Sequence, residues 1–229
     1  MISDHQGPSI PSWLQALVDA MPTVTAEHFT RILPPAEGGR DSAVLLLFGE
    51  GDDGPDILLI ERAHTLRKHA GQPAFPGGAR DPEDKTLVDA ALREAQEEVG
   101  LDPSSVDVLG VLPALYLPPS GFVVHPVVAW WRDPHPVHVV DTAEVAAVVR
   151  VPLKELTNAA NRHRIGHPSG LLGPAFQVRE LLVWGFTAGL LAGVLTLGGW
   201  EEPWDTDDIR ELDPETLRLA MRTWEPKTP

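Results

Sequence analysis

Residues 77–101, GGARDPEDKTLVDAALREAQEEVGL, constrain the fold of this chain most tightly, because they join a double-glycine turn to a helix with one apolar and one acidic face. Leu87, Ala91, Ala95 and Val99 recur at every fourth position, and Val88 and Leu92 widen that stripe. Thr86 with Asp89 three residues later makes a capping arrangement, and Gly100 stands where a left-handed helix end needs it, so the spacing predicts a helix over 86–99. On it, Glu94 and Glu98 lie one turn apart on one face, with Glu97 beside them.

Carboxylates crowded in this way resist ionisation unless a cation neutralises them, and hard oxygen donors suit Mg²⁺ or Mn²⁺ rather than zinc. A solvated acidic face would read the same from REAQEE alone. The glycines add to the metal reading: Gly77 and Gly78 follow Phe75 and Pro76 and permit close approach of backbone to a phosphate.

Residues 93–101, REAQEEVGL, match each fixed position in the second half of the Nudix box, R-E-apolar-x-E-E-x-G-apolar. The chain thus resembles the Nudix hydrolases. The front half departs from the pattern, since Gly78 is followed by five residues and then Asp84 in place of Glu, and eight residues rather than seven separate Asp84 from Arg93. The resemblance implies an α/β fold, the Nudix α/β/α sandwich with a mixed sheet. It also implies Mg²⁺ or Mn²⁺ held by Glu94 and Glu98, with Glu97 a further ligand or a contact to metal-bound water. Arg93 then braces the loop acid, for which Asp84, Asp81, Glu83 and Asp89 compete.

Upstream, Leu58, Leu59, Arg62, Ala63, Arg67, Gly71, Phe75, Pro76, Gly77 and Gly78 match in order the extended signature of the coenzyme A pyrophosphatase-like group, with Ile60 where threonine is usual. The function this resemblance implies is cleavage of coenzyme A or an acyl derivative to a phosphopantetheine and adenosine 3′,5′-bisphosphate. The same metal helix would serve ADP-ribose, a dinucleotide or an oxidised nucleotide, and a nucleotide-binding regulatory protein without turnover is the non-enzymatic alternative. Glu144, in DTAEVAAVVRVPL, resembles a glutamate that approaches the metals in this group; a solvated loop acid is its plainer reading. Glu94, Glu97 or Glu144 could take the proton of the attacking water.

Arg62, Arg67, Lys68 and His69 form a basic cluster in a chain of net charge −15, which suits an anionic ligand. Lys68 reads equally as a surface ion-pair partner, and His69 as a backbone-bonded loop residue. Gln72 and Phe75 could orient or stack the substrate, or Phe75 could simply pack.

The 18 basic against 33 acidic residues exclude a broad nucleic-acid face. The absence of cysteine excludes disulfides and zinc thiolates and is compatible with a cytoplasmic setting; the N-terminus shows no signal-peptide pattern. One domain over 1–229 is the expectation, with a core over about 38–200 and extensions at both ends. The seven tryptophans show no aromatic-basic strip and read as packing.

Residues 181–200 carry no charge over 20 positions, long enough for a bilayer on hydropathy alone. Gly185, Gly189 and Gly193 suit either membrane-helix pairing or close packing of a soluble helix, and five glycines favour the buried soluble helix. Strands are expected at 42–48, 57–60, 106–111, 123–131 and 146–151, and helices near 11–20, 86–99, 153–159 and 179–197. The tail from 201 onward is expected to cover a sheet edge or join a homodimer.

Overall fold

The computed structural model describes residues 10–30, 32–35, 38–66, 68–118, 120–166 and 172–223. A large mixed sheet forms its centre. Strand β1 (Arg40–Gly51) pairs antiparallel with β2 (Gly54–Arg62), which further along also pairs with the two-residue strand β3 (Pro73–Ala74). The start of β1 also pairs with β4 (Gly77–Ala79). After helix α2 (Leu87–Val99) come β5 (Val106–Val111), β6 (Leu115–Leu117) and β7 (Phe122–Trp131), and β7 returns to lie parallel to β1. Strand β8 (Val145–Pro152) then pairs with β2.

The strand sequences explain this burial. In β1 the run Val44 to Phe48 is apolar at every position, as a strand covered on both faces requires. Alternate side chains divide between two cores. Ala43, Leu45 and Leu47 join Leu58, Ile60, Val127, Ala129 and Trp131 beneath α2. Leu46 and Phe48 join Ile57, Leu59, Val128 and Trp130 on the other face, against α1 (Gln15–Ala20) and α4 (Gly185–Leu197). Three of the tryptophans serve this packing, Trp13 lying with its ring centroid 5.8 Å from both Trp130 and Trp200.

A second sheet follows the short helix α3 (Leu153–Thr157). It consists of β9 (Arg162–Gly166), β10 (Leu172–Val178), β11 (Leu181–Val183) and the tail strand β12 (Ile209–Arg210), in the order β11-β10-β9-β12. Its Phe176, Val178, Leu181 and Val183 enter the same apolar cluster as Phe48 and Leu46. Helix α5 (Pro214–Thr223) ends the described chain.

Every expected strand is present. The expected helix over 179–197 requires correction: Arg179 takes a left-handed turn, 181–183 is a strand, and the helix begins at Gly185. Three apolar residues with a β-branched end serve a covered strand as well as a helix, and β10 supplies the partner. Among the described residues no helix is long and apolar enough to cross a membrane. A Cβ at Gly193 would run into the Phe29 ring of the same chain, so that glycine serves internal packing. The tail covers an edge, with β12 lying parallel to β9.

Candidate active site

The site is built where α2 crosses the double-glycine segment. Thr86 and Asp89 cap the helix reciprocally, the Asp89 carboxylate accepting from Thr86 N–H at 2.8 Å and the Thr86 hydroxyl from Asp89 N–H at 3.1 Å. Gly100 closes it at φ 71°. Ala90, Ala91, Ala95 and Val99 face the sheet, and these small side chains let the helix lie close to it. Leu87, Val88 and Leu92, assigned to the apolar stripe by spacing, are only half-buried.

The three glutamates are not equivalent. Glu98 is 2% exposed, on the buried side of the helix, whereas the Glu97 side chain is 58% exposed. Glu98 Oε2 accepts the Gly77 N–H at 3.0 Å, and its Oε1 is buried without a hydrogen-bond partner. Burial pushes the Glu98 carboxyl up to about 8; Glu94 and Glu144 add to this, and the Gly77 N–H and Arg62 oppose it. Glu94 is raised as well, chiefly by burial.

Arg93 organises the rest. Its Nε and Nη2 each meet one oxygen of Asp84 at 3.0 Å, a two-pronged pair, while Nη1 reaches Glu97 at 3.0 Å and Nη2 also reaches Glu94 at 3.1 Å and the Ala79 carbonyl at 3.1 Å. Among the four candidate loop acids the geometry selects Asp84. Asp81 stays at 3.7 Å and Asp89 is committed to the helix cap. The extra loop residue thus brings the shorter acid into full contact. The Asp84 carboxyl is held below its usual range, first by its Arg93 hydrogen bonds. Arg80, which the sequence reading passed over, fixes the same loop by donating to the Asp84 and Lys85 carbonyls.

Gly77 is required by close approach of backbone, and Gly78 lies tight against the Glu94 side chain. A Cβ at Gly77 would strike the Ala43 carbonyl at a φ of 151°, and one at Gly78 would strike the Glu94 carboxylate. The Gly77 N–H is donated to Glu98.

Arg62 ends β2 with an Nη2 3.9 Å from Glu144 Oε2, and both charges act on Glu98. Glu144 is therefore drawn into the carboxylate group from the start of β8, and its carbonyl also accepts the Ala63 N–H at 2.8 Å. His69 Nδ1 lies 2.9 Å from Gln72 Oε1, at a left-handed φ of 55°, and burial lowers the imidazole's basicity. Lys68 is exposed, and Arg67 lies outside the described residues. Phe75, a candidate stacking residue, is 3% exposed within the core, so its ring packs behind the loop and offers no stacking face.

The donor set fits a hard cation: carboxylate oxygens only, one of them buried with no partner, beside a backbone with no Cβ at Gly78. Among the described residues no three ligand-type side chains stand close enough to hold an ion as they are. Arg93 draws Glu94 and Glu97 to itself while Glu98 turns to Gly77. An ion would have to pull Glu94 from Arg93. A cleft lined by Pro134, His135, Pro136, Val137, Val148 and Arg150 contains none of these carboxylates.

Known proteins resemble this chain in sequence and in fold. The family model of the NUDIX domain matches residues 39–169. A Cronobacter sakazakii protein described as "Uncharacterized Nudix hydrolase NudL" is 46% identical over 142 residues, 60% of this chain and 72% of its own. A Photorhabdus laumondii protein of the same description is 38% identical over 174 residues, 72% of this chain and 90% of its own. Among solved structures, the Nudix hydrolase RenU of M. smegmatis superposes with a TM-score of 0.51 at 20% identity, over 74% of this chain and 91% of its own, a likeness of fold.

Proposed function

Because this chain belongs to the Nudix hydrolase family, acting on pyrophosphate bonds, we propose that it is a Mg²⁺- or Mn²⁺-dependent pyrophosphohydrolase that cleaves coenzyme A or acyl-coenzyme A to phosphopantetheine and adenosine 3′,5′-bisphosphate. The observation that carries the hydrolytic part is the buried, half-satisfied Glu98 set against Gly77 and braced through Arg93 and Asp84. The substrate part rests on the run of matches from Leu58 to Gly78. Within that run, Arg62 N–H bonds the Gln72 carbonyl and Gly71 N–H the Arg62 carbonyl. We further take the chain as one domain, which the apolar cluster shared by the two sheets supports.

Nudix enzymes generally use divalent metal ions. Glu94 and Glu98, with Glu97, would hold one here, and a bound cation supplies neutralisation of phosphate charge and a more acidic water. The rest is the work of the chain. Hydrolysis adds water across one P–O bond, the attacking oxygen joining one phosphorus while the bridging oxygen leaves on the other. The water's proton passes to a carboxylate, for which Glu94, Glu97 and Glu144 are the candidates. Arg62 offers positive charge to the diphosphate from the end of β2, and the Arg93–Asp84 pair keeps loop and helix in register during attack.

The test is release of adenosine 3′,5′-bisphosphate from coenzyme A, with and without Mg²⁺ or Mn²⁺, beside ADP-ribose and a nucleoside triphosphate. Metal-dependent cleavage of coenzyme A at the highest kcat/KM is the expected result. A better rate on another diphosphate would discard the substrate and keep the reaction; binding with no turnover of any would discard both.

A further inference from the structure

We propose that Thr187 is a positioning residue of the hydrolytic site, its hydroxyl pinning the root of the segment that presents Gly77 and Gly78 to Glu98 and Glu94. The inference rests on the hydrolase reading above, but concerns a residue outside the 39–169 region that matches the family.

Thr187 is the third residue of α4 and is buried. Its Oγ1–H donates to the Pro73 carbonyl at 3.0 Å, across 114 residues of sequence. Threonine inside a helix commonly bonds back to its own helix; this one reaches out to β3. The acceptor is unusual too. Pro73 has no N–H to give, and β3 is only two residues long, pairing with Ile60 and Glu61 of β2 on the side away from β8. The Thr187 hydroxyl supplies a donor that the ladder does not.

Four residues beyond Pro73, Gly77 gives its N–H to Glu98. Between them the Phe75 ring sits in the core, and the Pro76 carbonyl accepts the Leu45 N–H at 2.8 Å. Segment 73–77 is thus held along its length: at its start by Thr187 and by the pairing of β3 with β2, further on by β1, and at its end by the carboxylate. Loss of the Thr187 bond leaves Pro73 and Ala74 held only by their pairing with Glu61 and Ile60, and a shift of about 1 Å passed on to a reacting centre costs on the order of 10²-fold in rate. Since α4 contacts the segment from the face of the sheet opposite α2, Thr187 acts only through Gly77 and Gly78.

The experiment compares Thr187→Val, which keeps the shape and removes the hydroxyl, with Thr187→Ser, which keeps the hydroxyl. Steady-state hydrolysis and amide hydrogen exchange at Gly77 in ¹⁵N-labelled protein are both read. The valine variant should lose about tenfold or more in kcat with KM within about twofold, and its Gly77 amide should exchange faster. Serine should restore both. Wild-type kcat and unchanged Gly77 exchange in the valine variant would overturn the proposal, as would equal losses in the valine and serine variants, which would mean packing. If the valine variant does not fold, Thr187→Ala against Thr187→Ser decides, equal Gly77 exchange in the two counting against the proposal. Should the wild type hydrolyse no diphosphate, the hydrolase reading fails by itself, and Gly77 exchange still reports whether the pin exists.

Discussion

Helices α2 and α4 are each 13 residues long and lie on opposite faces of one sheet, yet they are built in opposite ways. Helix α2 carries its own boundaries, a reciprocal cap at Thr86 and a left-handed Gly100, and sorts its side chains into a buried alanine strip and an acidic edge. Helix α4 has no side-chain cap at Trp184 and is uncharged, apolar but for Thr187 and Thr196. Its limits come from neighbours: β10 captures 181–183 as a strand, and Trp200 closes over Gly198. A polar helix at an interface has to state its orientation in sequence, whereas a helix apolar all round takes its orientation from what surrounds it. The chemistry proposed above accordingly falls on α2 and support on α4.

The sharpest way to break this division is Glu98→Gln. The amide keeps the shape and an acceptor for the Gly77 N–H while removing the charge a cation would need, so kcat/KM should fall by roughly 10³-fold, beyond the 10–100-fold typical of groups behind a ligand. Circular dichroism and Tm should stay near wild type. Activity within tenfold of wild type would move the chemistry off α2.

The converse change belongs to α4. Leu191 is buried, and Leu191→Ala should cost about 2–5 kcal/mol in denaturant unfolding. In α2, Leu92 is half-buried, and Leu92→Ala should cost less. Equal losses would mean that both helices carry the core alike.

This contrast also explains how much was legible in advance. The five long strands of the large sheet were, because a run such as Val44 to Phe48 between turn residues has few other uses, whereas the short β3, β4 and β6 were not. Helix α2 was legible nearly to the residue. The inequality of its glutamates was half-written: Glu98 follows Ala91 by seven positions and Ala95 by three, which places it on the buried strip, but three acids in REAQEE look alike until the sheet beneath them is known. The second sheet was not legible. β9 carries Arg162 and His163, both buried, where charge in a short segment reads as surface. The Arg162 guanidinium lies between the Phe176 and Trp204 rings and pairs with Glu201 at 3.0 Å, partners drawn from β10 and the tail. Nothing local announces such an arrangement. Thr187 stands in LVWGFTAGLL, a stretch that resembles the C-terminal helix of the coenzyme A pyrophosphatase-like group, but its partner lies 114 residues away and was not legible.

A smaller effect is expected at the brace. Asp84→Asn leaves one oxygen for Arg93 and turns an NH₂ toward it, so the two-pronged pair is lost. The expected loss is 10–100-fold in kcat/KM, in the range of groups that orient ligands. An assay at matched protein stability checks it. A loss confined to Tm would make the pair a loop fastener only, and would shift more of the site's orientation to the Gly77–Glu98 contact.

The smallest effect tests the claim that α2 states its own start. Thr86→Ala removes the acceptor of the Asp89 N–H and one side of the capping box, while the Thr86 backbone N–H keeps its bond to the Asp89 carboxylate. Loss of such a cap costs about 1 kcal/mol. In a chain of 229 residues, 1 kcal/mol lowers Tm by roughly 2–4 °C. The cost should be local, with faster amide exchange in the first turn and little change around Glu94 to Glu98, two turns on and held by Arg93 and Gly77. Activity should therefore stay within about twofold of wild type. If first-turn exchange rises and activity falls with it, the cap and the carboxylates form one cooperative unit, and the start of α2 serves the chemistry as directly as its end.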